Sequence, residues 1–368
     1  GLLFWVMKGI EADPDLELQI IATGMHLSSE FGFTFRQIEK DGFTISEKVE
    51  MLLASDTASG IAKSMGIGTM GLADAFERLR PDLIILLGDR FETLSAAQAA
   101  LVARIPVAHI AGGDTTEGAF DESIRHSITK MSHLHFVTNE AAYRRVRQMG
   151  EDPACIFNVG SPGIDCIKRT PRLERRNLEQ ELSFRFRTRN FLITFHPATL
   201  DPKAPPDQFK NLLEALSSLG PQFGLIFTRT NADNDGRILN TILDEFVAAH
   251  DNARAYSSLG QQVYLSTIAQ VDAVVGNSSS GLYEVPSFRK PTVNIGDRQR
   301  GRLQASSVIT CKPDTADIIE ALQQALVLDC SNTINPYGDG NSADRIISVL
   351  KTTADPCSLL QKKFHDFS

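Results

Sequence analysis

The chain has 368 residues, 42% of them hydrophobic and 22% charged, with a formal net charge of −8. That length exceeds one small domain and fits two of roughly 150–200 residues, the composition is that of a soluble globular protein, and the acidic balance argues against non-specific nucleic-acid binding while leaving room for local basic patches that meet a small anion. No apolar run reaches the ~18 residues of a membrane span, no signal-peptide pattern is present, and five scattered cysteines without a CxxC suit the reduced thiols of a cytoplasmic protein better than a disulfide framework or zinc site.

Residues 1–10, GLLFWVMKGI, read as a helix. An α/β unit normally opens on a strand and a loop, so a further stretch of about 15 residues is expected ahead of Gly1. Residues 18–22 form the first strand, and Thr23-Gly24 lead into a polar loop. Residues 44–80 carry two helical stretches, the second closed by Pro81. The GxGxxG at Gly66–Gly71 lies between them without a preceding strand, so it reads as a helix break and not as a dinucleotide fingerprint.

Short apolar runs follow at 83–87, 107–110, 135–138 and 156–159, separated by helical segments such as the alanine-rich TLSAAQAALVAR. That alternation is the mark of a parallel sheet with crossover helices. The charged stretch 168–190 has no strand pattern and sets a domain boundary, giving domains 1–168 and 169–345. A second alternating set has strands at 191–195, 224–228, 253–257, 273–275, 292–295 and 308–310. Residues 346–350 belong to a helix, and the tail to 368 is expected to dock as a final helix on the first domain.

In open α/β sheets ligands bind outside the carboxyl ends of the strands. Here those ends carry Asp89 and Arg90, then Gly112, Gly113, Asp114 and Glu117, then His196, and then Arg229, Thr230, Asn231 and Asp233. Bland readings stand beside each: Asp89 as a helix N-cap, Asp121 and Glu122 as acids that favour a helix dipole, and His196 as a structural histidine. His133 and His135 lack a third ligand at a usual spacing, which argues against a metal site. Residues 272–302 are the most informative. An apolar strand breaks at Gly276 into the small residues Asn277–Gly281, a helix carrying Glu284 follows, and the next strand ends in a loop holding Arg298, Arg300 and Arg302. A helix start behind small residues presents free N–H groups, and arginines beside it complete a cradle for a phosphate or diphosphate. An ordinary βα loop is the alternative.

GDRFETL, HIAGGDTTEGAFDESIRHSITK, TFHP, GNSSSGLYEV, PTVNIGDRQRGR and NPYGDGNSADRI occur in this order. Together they resemble the hydrolysing UDP-N-acetylglucosamine 2-epimerases, the sialic-acid and nonulosonate branch in particular, over nearly the whole chain. The resemblance implies a glycosyltransferase-B-like fold, two Rossmann-like domains with parallel sheets facing across a cleft. It implies elimination of UDP to a 2-acetamidoglucal and hydration to N-acetylmannosamine, with no metal or nicotinamide cofactor, in a homodimer. Ser278, Ser279, Arg298 and His196 match its diphosphate contacts, and Glu284 its ribose contact. Asp89 and Asp121 match positions that move protons, with Asp114 and Glu117 alongside. Arg90, Arg125, Asn231 and Asp233 match the substrate surroundings.

One departure stands out. Some close relatives carry a catalytic glutamate where this chain has Ala111. Either Asp114 or Glu117 takes over, or the proton transfers are arranged differently, or the substrate differs. The alternatives to N-acetylglucosamine chemistry are the same reaction on a UDP-2,4-diacetamido-trideoxyhexose, a retaining glycosyltransferase, and a non-catalytic UDP-sugar sensor.

Overall fold

All-parallel sheets buried on both faces need strands that are apolar along their whole length, and short runs of that kind recur through the chain. The structure is a computed structural model that describes residues 1–29, 32–53, 57–115, 121–197, 204–230, 234–353 and 355–366, apart from the side chains of 234–237. It divides into two units, Gly1–Cys166 with Tyr337–Ser368, and Ile167–Pro336.

The first unit runs α1 (Phe4–Ala12), β1 (Ile21–Thr23), α2 (Phe35–Lys40), β2 (Glu47–Val49), α3 (Ala58–Leu79), β3 (Ile84–Leu87), α4 (Phe91–Ala103), β4 (Val107–Ile110), α5 (Asp121–Met131), β5 (Leu134–Val137), α6 (Glu140–Gln148) and β6 (Ile156–Asn158). Helix α7 (Pro162–Arg169) then spans the boundary between the units. β3, β4, β5 and β6 lie side by side in that order, all parallel, with His109 opposite His135. β4 and β5 are buried at every position. β1 and β2 form a separate parallel pair.

The second unit contains α8 (Arg175–Leu182), β7 (Arg189–Thr194), α9 (Pro205–Ser217), β8 (Phe223–Thr228), α10 (Asn234–Ala249), β9 (Ala253–Tyr256), α11 (Gly260–Gln270), β10 (Ala273–Gly276), α12 (Ser280–Tyr283), β11 (Thr292–Ile295), β12 (Val308–Cys311) and α13 (Thr315–Val327). Its six parallel strands take the order β12-β11-β10-β7-β8-β9. Read from β9, this is the doubly wound order 3-2-1-4-5-6, whose switch point falls between β7 and β10. Phe191, Ile193, Leu225, Phe227, Val275 and Val293 form its core with side chains from α9 and α13.

Two expectations fail. Residues 44–80 do not hold two helices broken at the glycines: they hold strand β2 and one continuous helix of 22 residues, α3. Two of the three glycines serve packing, while Gly66 faces open space. A Cβ on Gly68 would come within 2.6 Å of Met51, and one on Gly71 within 2.7 Å of Val49. The tail is not a final helix either. Among the described residues after α14 (Ser342–Thr352), the one helical segment is a 3₁₀ turn, Pro356–Leu360. Beyond it, Lys362 Nζ donates to the carbonyls of Lys130 and Ser132 and pairs with the buried Glu151, all within the first unit. Among the described residues no helix is long and apolar enough to cross a membrane.

The chain re-enters the first unit at Tyr337, whose carbonyl accepts the Ser161 N–H at 2.7 Å. Asp165, fully buried, then accepts the N–H groups of Ser342 and Ala343 at 2.9 and 3.0 Å and so caps α14. Unpaired, each of those buried amides costs about 1–3 kcal/mol. Asp165→Ala is therefore expected to lower the thermal midpoint more than Asp165→Asn, which keeps one acceptor oxygen. A midpoint unchanged by Asp165→Ala would remove this cap from the account.

Candidate functional site

In the first unit two neighbouring strand ends converge on one guanidinium. β3 ends in Gly88, at φ 79°, which turns the chain into Asp89. β4 ends in Ala111, Gly112, Gly113 and Asp114. Arg125, one turn into α5 and 5% exposed, forms an ion pair with the Asp89 carboxylate and donates to the main-chain carbonyl of Asp114 at 2.8 Å. A buried guanidinium is tolerated only with a counter-charge and filled donors, and Asp89 supplies the charge. Asp89 is not the cap of α4; that position is Arg90. Arg90 turns aside to Glu92, Nε to Oε2 at 3.1 Å.

The Asp114 carboxylate is held from the end of β5. It accepts from Thr138 Oγ1 at 2.9 and 3.0 Å and from Asn139 Nδ2 at 3.1 Å. Arg145 on α6 donates to the Gly113 carbonyl beside it. Burial pushes the Asp114 carboxyl above its ordinary value; the Thr138 bond, the Arg125 charge and the Asn139 bond oppose this without cancelling it. The result is a carboxyl group tuned upward, beside an aspartate paired to arginine. An acid of this kind can trade protons nearer neutral pH than a free aspartate. Ala111 sits at the crest of the loop with φ 64°, an αL conformation few non-glycine residues adopt. Asp121 opens α5 and is half-buried.

In the second unit the sequence-predicted site residues gather at the switch point. Gly276 ends β10 with φ 134°, and a Cβ there would lie 1.9 Å from the Thr194 carbonyl of β7, so only glycine fits. Asn277, 1% exposed, then clamps the two strand ends together. Its Oδ1 accepts the His196 N–H at 2.7 Å, and its Nδ2 donates to the His196 carbonyl at 2.8 Å. Its own carbonyl accepts from Gln299 at 2.8 Å and Arg298 at 3.1 Å, drawing in the loop after β11. His196 Nδ1 meets Thr230 Oγ1, beyond the end of β8, at 3.3 Å.

The helix behind the serine turn is shorter than expected. α12 has 4 residues and passes into a 3₁₀ turn, so a long helix dipole is not available. What the turn offers is polar groups. Ser278 and Ser279 precede the first helical hydrogen bonds, and the Ser280 hydroxyl bonds Glu284 Oε2 at 2.5 Å and Tyr264 at 2.6 Å. Burial raises the Glu284 carboxyl above its usual value, with the Ser280 bond opposing it.

Asp89, Asp114 and Arg125 are thus brought together in one unit, and His196, Ser278, Ser279, Glu284 and Arg298 in the other. Glu117, Asn231 and Asp233 lie outside the described residues. His133 and His135, set aside as metal ligands, have other partners: His133 accepts the Val107 N–H, and His135 bonds Glu151. Sequence reasoning missed Asn277, which looked like one more turn residue, and Thr138 and Asn139, which follow a strand directly. Their position at a strand end was the only available signal.

The family described as UDP-N-acetylglucosamine 2-epimerase matches residues 8–351. A Campylobacter jejuni protein named GDP/UDP-N,N'-diacetylbacillosamine 2-epimerase (hydrolyzing) is 45% identical over 84% of this chain and 80% of its own. A Legionella pneumophila protein named UDP-N,N'-diacetylbacillosamine 2-epimerase (hydrolyzing) is 34% identical over 98% and 95%. Among solved structures, UDP-GlcNAc 2-epimerase from Neisseria meningitidis, bound to UDP-GlcNAc, superposes with a TM-score of 0.78 over 95% of this chain and 96% of that one, at 18% identity.

The clamp has a direct consequence. Asn277→Ala removes the side chain that bonds both the N–H and the carbonyl of half-buried His196, a loss of about 0.5–1.5 kcal/mol per hydrogen bond. The denaturation midpoint of the second unit is expected to fall accordingly. A midpoint equal to that of the unaltered chain would contradict the clamp.

Proposed function

The chain belongs to the UDP-N-acetylglucosamine 2-epimerase family, and we propose that it hydrolyses UDP-N,N'-diacetylbacillosamine, a UDP-2,4-diacetamido-trideoxyhexose, with inversion at C2. The observation that carries this choice of sugar is the naming of the Campylobacter and Legionella relatives for that substrate, at 45% and 34% identity. UDP-N-acetylglucosamine, giving N-acetylmannosamine, is the second reading, supported by the family's own description.

The reaction balances in two steps. A base removes the C2 proton while the C1–O bond breaks and its electron pair leaves on UDP, forming a 2-acetamidoglycal. Water then gives its hydroxyl to C1, and a proton is delivered to the opposite face of C2. The second unit serves the leaving group: the serine turn at Ser278 and Ser279, Arg298 and His196 stabilise the charge that develops on the diphosphate, and Glu284 holds the ribose hydroxyls. The first unit serves the protons. Asp114, with its raised carboxyl, is the group best suited to accept and return one, and Asp89, Asp121 and Glu117 complete the acidic set. Ala111 offers only a methyl group where some relatives place a glutamate, which shifts that work onto Asp114.

Incubating the protein with a panel of UDP-sugars and following both UDP and the free sugar tests the proposal. Release of UDP with the 2-epimeric diacetamido sugar is expected, at a kcat/KM above that for UDP-N-acetylglucosamine; the reverse preference would favour the second reading, and no release from either would refute both. Asp121→Asn is expected to abolish turnover and spare UDP binding. The Thr138 hydrogen bond favours the charged form of Asp114, so removing it lets that pKa rise further. Thr138→Val should therefore move the acid limb of the kcat/KM profile to higher pH. A limb that stays put or moves down would take Asp114 out of the proton chemistry.

A further inference from the structure

His109 is fully buried in β4 and belongs to no element of the chemistry described so far. Its ring spans two elements. Nε2 lies 2.8 Å from the Gly88 carbonyl, and Nδ1 lies 3.1 Å from Thr129 Oγ1 on α5. Gly88 is the residue before Asp89, and Thr129 is one turn after Arg125 on the same helix. The loop that carries Asp89 is thus tied to α5 twice, through the Arg125–Asp89 ion pair and through the Gly88–His109–Thr129 bridge. Space for the bridge depends on Gly112, where a Cβ would come within 2.9 Å of both His109 Nδ1 and Thr129 Oγ1.

Hydrogen-bond chemistry fixes the ring's state. A carbonyl can only accept, so Nε2 carries the proton and Nδ1 is the acceptor. The Thr129 hydroxyl, which donates to the Arg125 carbonyl at 3.0 Å, also lies within reach of Nδ1, so its proton is shared between two acceptors. Burial holds the ring's pKa down to about 3; the Gly88 hydrogen bond opposes this, and the charges of His135, Arg125 and His126 add to the lowering. The ring is therefore neutral through the working range.

We propose that His109, as its neutral Nε2–H tautomer, is a positioning residue that sets the main chain at Gly88 and so aims the Asp89 carboxylate for proton transfer. This rests on the functional reading above. Two substitutions separate the ring's two bonds. Glutamine places an amide N–H near Nε2 and keeps the Gly88 bond, whereas asparagine places its oxygen near Nδ1 and keeps only the Thr129 contact.

His109→Asn is expected to lower kcat tenfold or more with KM and UDP affinity within about threefold, a split matching the loss of one hydrogen bond felt in the transition state. His109→Gln should keep most of the rate. Equal losses in both variants, tracking their melting temperatures, would reduce the residue to a structural role and overturn the proposal, as would wild-type kcat in His109→Asn. Nitrogen NMR of the unaltered protein stands apart from any folding defect: it should show the Nε2–H tautomer unchanged between about pH 5 and 8, and the Nδ1–H tautomer would overturn the proposal. If the unaltered protein releases UDP from no sugar, the functional reading fails by itself. Positioning is then read by amide exchange at Asp89 and Arg90, which His109→Asn should speed and His109→Gln should not; equal exchange in the two would refute it.

Discussion

A guanidinium cannot be buried alone. Arg125 lies almost wholly inside the first unit, and its charge draws the Asp89 carboxylate and the Asp114 carbonyl into contact. From that one constraint the arrangement follows: Asp89 is fixed at the end of β3, the Asp114 backbone at the end of β4, and α5 across both. The second unit solves the same problem with a neutral group. Asn277 is bonded on both edges of its amide to the main chain of His196, and its carbonyl gathers Arg298 and Gln299. In each unit, one buried polar side chain converts neighbouring strand ends into a rigid platform. Functional loops need this support, because strand ends by themselves are only tethered on one side.

The parallel strands were the most legible part of the chain. VAHI and AVVG read as unbroken apolar runs because both sheet faces are covered, and the structure buries every residue of each. β2 was not legible, since EKV has the polarity of a surface segment and its pairing with β1 is long-range. The glycines of α3 misled for a related reason. Glycine lowers helix propensity, yet here it is the close approach of Val49 and Met51 that requires it. Asp89 could be found as a strand-end acid, but its partner Arg125 lies 36 residues further along and no local pattern joins them. Asn277 was hidden by its neighbours: the letters that make a clamp are also the letters of a turn. His109 was hidden in a strand, where a histidine looks like one more buried residue.

The helix behind the serine turn, the proposed leaving-group seat, came out shorter than its sequence promised. With α12 only 4 residues long, the case for a helix dipole gives way to individual donors and to the hydroxyl chain linking Tyr264, Ser280 and Glu284. On the side proposed to move protons, Ala111 and Asp114 share one loop. Ala111 holds a left-handed backbone conformation at the loop crest, while the neighbouring Asp114 carries a carboxyl raised by burial and steadied by Thr138 and Asn139.

The central claim is that the bond from C2 to hydrogen is broken and remade during turnover. Running the reaction in deuterium oxide and reading the released sugar by NMR tests it most directly. The account predicts one solvent deuterium at C2 of the free 2-epimeric sugar. A free sugar that keeps its original hydrogen at C2 would contradict it.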